Sequence, residues 1–287
     1  MIDFFQTVAN GLIVGSVYGL IALGISLIFG VSRVLNLAQG EFLMIGAFAI
    51  ISLSGVFKLP FGTALPLAVL SSSFIGYLLY MGAIRPARHA PLSSLLIITL
   101  GASITVRGFA LLIWGKDPLS LRPFSGYEPV AIKGVLMQSQ GLWVIGVTAI
   151  LVLTLQLFFK RTFIGKAMLA CAENPMAASL TGINVTLVTG LAYTLSATIG
   201  AIAGIFVVPI TSITYDGGIL IGLKGFVGAM LGRLTPMGGL IGGITIGLME
   251  AFAARYISSI FKDVIVFAFL LLILSVKSRS LRTARFV

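Results

Sequence analysis

The stretch 10–48, NGLIVGSVYGLIALGISLIFGVSRVLNLAQGEFLMIGAF, decides how this chain must fold. No charge occurs from Gly11 to Ser32, and the run is almost wholly apolar. A helix needs about 20 such residues to cross a hydrocarbon core roughly 30 Å thick. A short polar interval, Arg33 to Glu41, then gives way to a second apolar run. Two long apolar segments joined by so few polar residues fit a chain that threads a bilayer repeatedly.

The same pattern continues outward from that stretch. Apolar runs bounded by charges, Pro or polar clusters fall at 7–30, 41–57, 61–84, 92–114, 141–159, 186–208, 237–256 and 260–276. Residues 218–232 are apolar too, but Gly-rich and short, and they read either as a tilted span or as a re-entrant segment buried in protein. The expectation is an all-α polytopic membrane helix bundle of about 8–9 spans, one transmembrane domain over 1–287 with a loop at 160–185 on the cytoplasmic side. Composition agrees: 58% of the 287 residues are hydrophobic and 9% charged, against about 25% charged in a soluble domain. The segment 1–6 carries no Lys or Arg and the run after it is too long for a signal peptide, so it is expected to stay as a span.

A formal net charge of +11 could point to nucleic acid. Here the basic residues are spread through short loops and the C-terminal tail, with no basic face interleaved with aromatics, so no nucleic-acid partner is expected. With the N-terminus outside and 218–232 crossing, the inner side holds Arg33, Arg85, Arg88, Lys160, Arg161, Lys166, Arg233, Lys277, Arg279, Arg282 and Arg285. The outer side holds Lys58, Lys116, Arg122, Lys133, Arg255 and Lys262. The asymmetry favours that orientation.

Glycine is frequent, at 34 residues, and part of it is periodic. Gly11, Gly15 and Gly19 form one four-residue stripe and Gly239, Gly243 and Gly247 another, each suited to close helix packing. The similarity of GLIVGSVYGL to GLIGGITIGL reads equally as a vestige of duplication or as chance recurrence of small residues.

Three spans carry charges: Arg107, Lys224 and Glu250. A charge at a helix centre costs about 2.5–3.5 kcal/mol on insertion scales, so each is expected to face protein or a water-filled cavity. Lys224 and Glu250 lie roughly 7–8 Å apart along the axis, within reach of an ion pair, and a place in a solute pathway is the alternative. Asn36, Gln39 and Glu41 flank Gly40 and read as an ordinary inner turn, or else as polar backbone lining an aqueous path.

Within 160–185 the residues Glu173, Asn174, Pro175, Met176, Ala177, Leu180 and Gly182 belong to a short capped helix. Asn174 is a favoured N-cap, Pro175 suits the first helical turn and Gly182 suits the left-handed residue after the end. Met176 and Leu180 share one face. So short a helix is marginal alone in water and needs a surface to dock on, another protein or its own span ends.

Cys171 is read as lying in a polar loop with no second ligand near it, and His89 as a solvated loop residue. No G-x-x-x-x-G-K-[ST] occurs, since Gly165-Lys166 is followed by Ala167, and no zinc motif or G-x-S-x-G occurs. No cofactor, metal site or catalytic residue is expected, and the chain is not expected to be an enzyme.

The stretch 10–48 closely resembles the opening of the LivH-type permeases of branched-chain amino acid ABC importers. GKAMLACAENPMAASLTGINV at 165–185 resembles their cytoplasmic coupling segment, and GLKGFVGAMLGRLTPMGGLIGGITIG at 222–247 their third shared region. The likeness covers essentially the whole chain. It implies a permease subunit in a bacterial or archaeal plasma (inner) membrane. Its implied partners are a second homologous permease subunit, two cytoplasmic ABC ATPase subunits and an extracytoplasmic solute-binding protein. The capped helix would be the piece docked on an ATPase. Where the family commonly has His in its N-x-A-H-G pattern this chain has Gln39, which keeps hydrogen bonding without a titratable group. Gly232-Arg233 stands where small residues are usual. Aliphatic amino acids are the implied solute; urea or short amides, an ion-coupled carrier using the buried charges, and a non-transporting scaffold are the alternatives.

Overall fold

The computed structural model describes residues 2–126, 128–132, 135–269 and 271–272. Ten helices and one hairpin are assigned within them: α1 Ile2–Ser32, α2 Gln39–Ile51, α3 Phe61–Leu79, α4 Leu92–Trp114, β1 Pro129–Ile132, β2 Val135–Gln138, α5 Ser139–Arg161, α6 Phe163–Glu173, α7 Pro175–Leu180, α8 Val185–Val207, α9 Gly217–Leu231 and α10 Pro236–Tyr256. Wider π-helical turns extend α2 over Ser52–Val56 and α3 over Tyr80–Ile84. Residues 262–269 are again helical.

Seven of these helices are long and apolar enough to cross a membrane. The expected run at 260–276 lies partly outside the described residues. The expected segment at 218–232 forms α9, whose 15 residues reach only about 22 Å.

α1 is the axis of the molecule. It is buried on every side from Gly15 to Ile28, which is why its sequence shows no polar face. The two glycine stripes meet here. A Cβ on Gly247 would lie 2.2 Å from the Gly15 Cα, and one on Gly243 would lie 2.3 Å from the Gly19 N, so α1 and α10 touch backbone to backbone. α8 packs on α2 and α3 in the same manner, through Gly200, Gly204 and Gly76. α4 and α5 expose Leu112, Ile113, Ile150 and Leu153, as lipid-facing or subunit-facing helices do.

Leu119 and Ile213 exchange backbone hydrogen bonds and so place the α4–β1 and α8–α9 connections on one side of the bundle. The ends of α1 and α5 and the start of α10 surround a common cavity on the opposite side.

Candidate functional site

The first site is the break between α1 and α2. The helix stops at Arg33, whose φ of 59° ends the regular hydrogen bonding. Residues 33–38 then return into the bundle rather than staying at its surface. Gln39 reaches Ser196, the central residue of α8: the Ser196 hydroxyl donates to Gln39 Oε1 at 2.7 Å, and Gln39 Nε2 donates to the Ser196 carbonyl at 3.2 Å. It also touches Gly24 of α1. Those positions lie roughly 12–16 Å along α1 and α8 from their nearer ends. Of the two readings of this stretch, an ordinary surface turn is therefore corrected: Asn36, Gln39 and Glu41 are all buried, and Gln39 sits against the middle of α8.

The environment accommodates the polar groups unequally. Asn36 Oδ1 accepts from the Ala38 amide at 3.1 Å, closing a local turn, while its Nδ2 has no partner in this structure. Glu41 Oε1 accepts from the Ser103 hydroxyl at 2.7 Å and lies 3.4 Å from Arg107 Nε. Glu41 Oε2 is buried without a hydrogen-bond partner, beside Gly218 in the first turn of α9. The partial positive charge of that helix end favours a carboxylate there. Gly40 makes the approach possible, because a Cβ on it would stand 2.0 Å from the Gly218 carbonyl oxygen.

Thr99, Ser103 and Arg107 recur every four residues on α4, so the polar line facing the break was present in the sequence but went unread. Thr99 supports the same backbone: its hydroxyl lies 3.4 Å from both the Leu37 amide and the Leu35 carbonyl.

The second cluster surrounds Lys224. Its ammonium lies 2.8 Å from Glu250 Oε1 and 2.7 Å from Asp263 Oδ1, and it donates to the Tyr18 hydroxyl at 3.2 Å. Tyr18 donates in turn to Glu250 Oε2 at 2.7 Å, and Lys262 lies 3.1 Å from Glu250. Two cations and two anions thus balance, with Lys224 and Glu250 almost wholly buried. Sequence reading named the central pair and missed Tyr18, which lies far away on α1, and Lys262 and Asp263, which open the helical stretch 262–269.

The third site projects from the bundle. Asn174 Oδ1 accepts from the Met176 and Ala177 amides at 3.0 Å, capping α7. Gly182 has φ +86°, and the bonds from the Gly182 amide to Ser179 O and from the Ile183 amide to Ala178 O complete a Schellman motif. Ala178 is buried, whereas Met176 and Leu180 are 76% and 82% exposed. α7 is preceded by α6, a helix unread in sequence although Thr162 caps it by accepting from the Gly165 amide at 2.9 Å. Cys171 is corrected accordingly: it is no loop residue but sits in α6, buried with Leu27, Val31, Met168, Ala178 and Val188. Burial raises its thiol above the ordinary range. Glu173 ends α6, and His89 is exposed.

The Arg33 guanidinium joins the first and third sites by donating to the Ala172 carbonyl at 2.7 Å.

The family described as "Branched-chain amino acid transport system / permease component" matches residues 7–274. The chain belongs to that permease family. It is 32% identical over 290 residues to the high-affinity branched-chain amino acid transport system permease protein LivH of Escherichia coli K12, covering 95% of this chain and 93% of that one. It is 31% identical to the permease protein BraD of Pseudomonas aeruginosa, over 94% and 93% of the two chains. The probable branched-chain amino acid transport permease LivH of Methanocaldococcus jannaschii is 26% identical over 84% of this chain and 78% of that protein. As a member of the permease family, the chain is a multi-pass membrane protein of a transport system.

Proposed function

We propose that this chain is a membrane-spanning permease subunit of an ATP-driven importer of branched-chain aliphatic amino acids in the plasma membrane of a bacterium or archaeon. It works beside a second permease subunit, takes solute from an extracytoplasmic binding protein and is powered by two cytoplasmic ATPases. The observation that carries this reading is α7. A six-residue helix, capped at both ends and presenting Met176 and Leu180 to solvent, is built to be covered by another protein. Family membership names a transport system as the setting.

The break is the proposed element of the solute pathway. Non-helical backbone at membrane depth persists only where protein or an aqueous cavity satisfies it. Glu41 and Arg107 offer one charge of each sign, which suits a zwitterionic solute, and Asn36 and Gln39 add neutral hydrogen-bonding groups. All three residues of the break are closed off in this conformation, so transport requires α2 or α9 to move. Arg33 supplies a route for that movement, because a shift of α6 and α7 under an ATPase pulls on the first residue of the break. The Lys224 network is assigned a structural role, since its charges satisfy one another.

We infer that α9 crosses the membrane as an eighth span among the described residues, with the N-terminus outside. α9 together with 208–216 carries the chain from the Leu119 side to the Lys160 side, which supports a true crossing over a re-entrant loop.

Disulfide trapping tests the docking. With Cys171 replaced by Ala, Cys at Met176 or Leu180 is expected to cross-link to Cys in a surface groove of the ATPase. Free labelling of both positions by a water-soluble thiol reagent in the assembled, active complex would show α7 undocked and end the proposal.

A further inference from the structure

A cavity of about 370 Å³ lies where α1, α5, α6 and α10 converge at the basic end of the bundle. Its walls are apolar, including Leu27, Val31, Phe159, Met168 and Met237. Three cations stand at or beside its rim. Lys160 lines the mouth, Lys166 stands three residues before the lining Leu169 on α6, and Arg233 stands two residues before the lining Thr235. All three cations are exposed, and no carboxylate among the described residues pairs with any of them. An apolar slot at the end of membrane spans, opening beneath unneutralised cations, has the chemistry of an acidic lipid: a chain for the slot and a phosphate for the rim.

We propose that this cavity binds an acidic phospholipid of the inner leaflet, with part of one acyl chain between α1, α5 and α10 and the phosphate held by Lys160, Lys166 and Arg233. The position is consequential, because Met168, Leu169 and Ala172 of α6 form one wall. A lipid there steadies α6, and with it α7, against the membrane spans. The inference rests on the proposed orientation and not on the identity of the solute or on ATP coupling.

The test is lipid retention by the full chain, purified in mild detergent and offered phosphatidylglycerol and phosphatidylethanolamine with identical acyl chains. Native mass spectrometry is expected to show a one-lipid adduct favouring phosphatidylglycerol by about five-fold or more, since each nearby cation adds to the attraction. The triple variant Lys160→Gln, Lys166→Gln, Arg233→Gln should bring the two lipids to parity. Gln156→Trp, which fills the mouth from an exposed position, should remove the adduct for both. A phosphatidylglycerol with a photoreactive acyl chain should then label residues 155–160 or 235–237 in membranes holding the assembled transporter. Equal retention of both lipids by the unaltered chain, or a preference unchanged in the triple variant, would overturn the site. So would labelling confined to the outer faces of α4 and α5, which marks annular lipid only, or labelling lost on assembly, which marks a protein in the slot. If Gln156→Trp fails to fold, the triple variant and the photolabel still decide.

Discussion

Gly247→Ala is the most informative single change, because its consequence can be worked from distances. The added Cβ would stand 2.2 Å from the Gly15 Cα and 2.3 Å from its N, both backbone atoms that cannot swing aside. Ordinary contact begins near 3.4 Å, so α1 and α10 must part by about 1.2 Å. Overpacking of this kind costs roughly 1–3 kcal/mol. The same movement acts one turn away, where Tyr18 donates to Glu250 at 2.7 Å. Opened to roughly 3.9 Å, that contact is no longer a hydrogen bond, and one to a charged group contributes about 1.5–3 kcal/mol. The expected total is about 2.5–6 kcal/mol, the lower end applying if the two helices tilt rather than translate. The assay is unfolding in mixed micelles, with Gly62→Ala as control. Gly62 lies in α3 with nothing within 4 Å of an added Cβ, so there Ala should be neutral or stabilising by up to about 1 kcal/mol. Gly247→Ala should thus destabilise while Gly62→Ala should not. In addition, Tyr18→Phe should cost less in the Gly247→Ala background than alone, because the bond it removes is already lost. Equal effects at Gly247 and Gly62, or fully additive losses with Tyr18→Phe, would refute the backbone contact.

Glu250→Gln strands Lys224 with only the half-exposed Asp263 and should destabilise by up to about 3–5 kcal/mol; adding Lys224→Met should recover part of that, and strict additivity in mixed-micelle unfolding would argue against the pair. Gly182→Val forces a β-branched residue to φ +86° and should cost about 1 kcal/mol or more locally, lowering solute-stimulated ATP hydrolysis while the circular dichroism of the bundle is unchanged. Arg33→Gln removes the contact to Ala172 and should leave ATP hydrolysis running while uptake per ATP falls, as read by paired assays in the same vesicles. Cys171, buried and with a raised thiol, should resist a water-soluble maleimide at neutral pH until the chain is unfolded; rapid labelling of the native protein would place it at the surface instead.

How far the sequence carried depends on whether a feature is local. α4 was expected at 92–114 and is found at Leu92–Trp114, because Pro91 and Gly115 bracket a continuous apolar run. The cap, exposed face and positive-φ glycine of α7 were also legible, since each depends on neighbours within a few residues. The glycine stripes were visible as stripes, but only the fold shows that they face each other across α1 and α10. The break was misread for the same reason: NLAQGE has the composition of a surface turn, and its burial depends on Ser196, Ser103 and Gly218, which lie far along the chain. α6 was missed because Cys171 was read as loop and Glu173 as part of the short capped helix, although the Thr162 cap was in view. Tyr18 was hidden in a run where an aromatic reads as packing, and its role exists only once α9 and α10 surround it.

Reconstituted uptake tests the proposed function most directly. Vesicles holding this chain, its partner permease and the two ATPases, with ATP inside and the binding protein outside, are expected to accumulate leucine. Omitting the ATPases or ATP should abolish accumulation, whatever ion gradient is imposed. Robust leucine accumulation driven by an ion gradient, with the permease subunits alone in the membrane, would contradict an ATP-driven importer and return Lys224, Glu250 and Arg107 to candidacy as coupling groups.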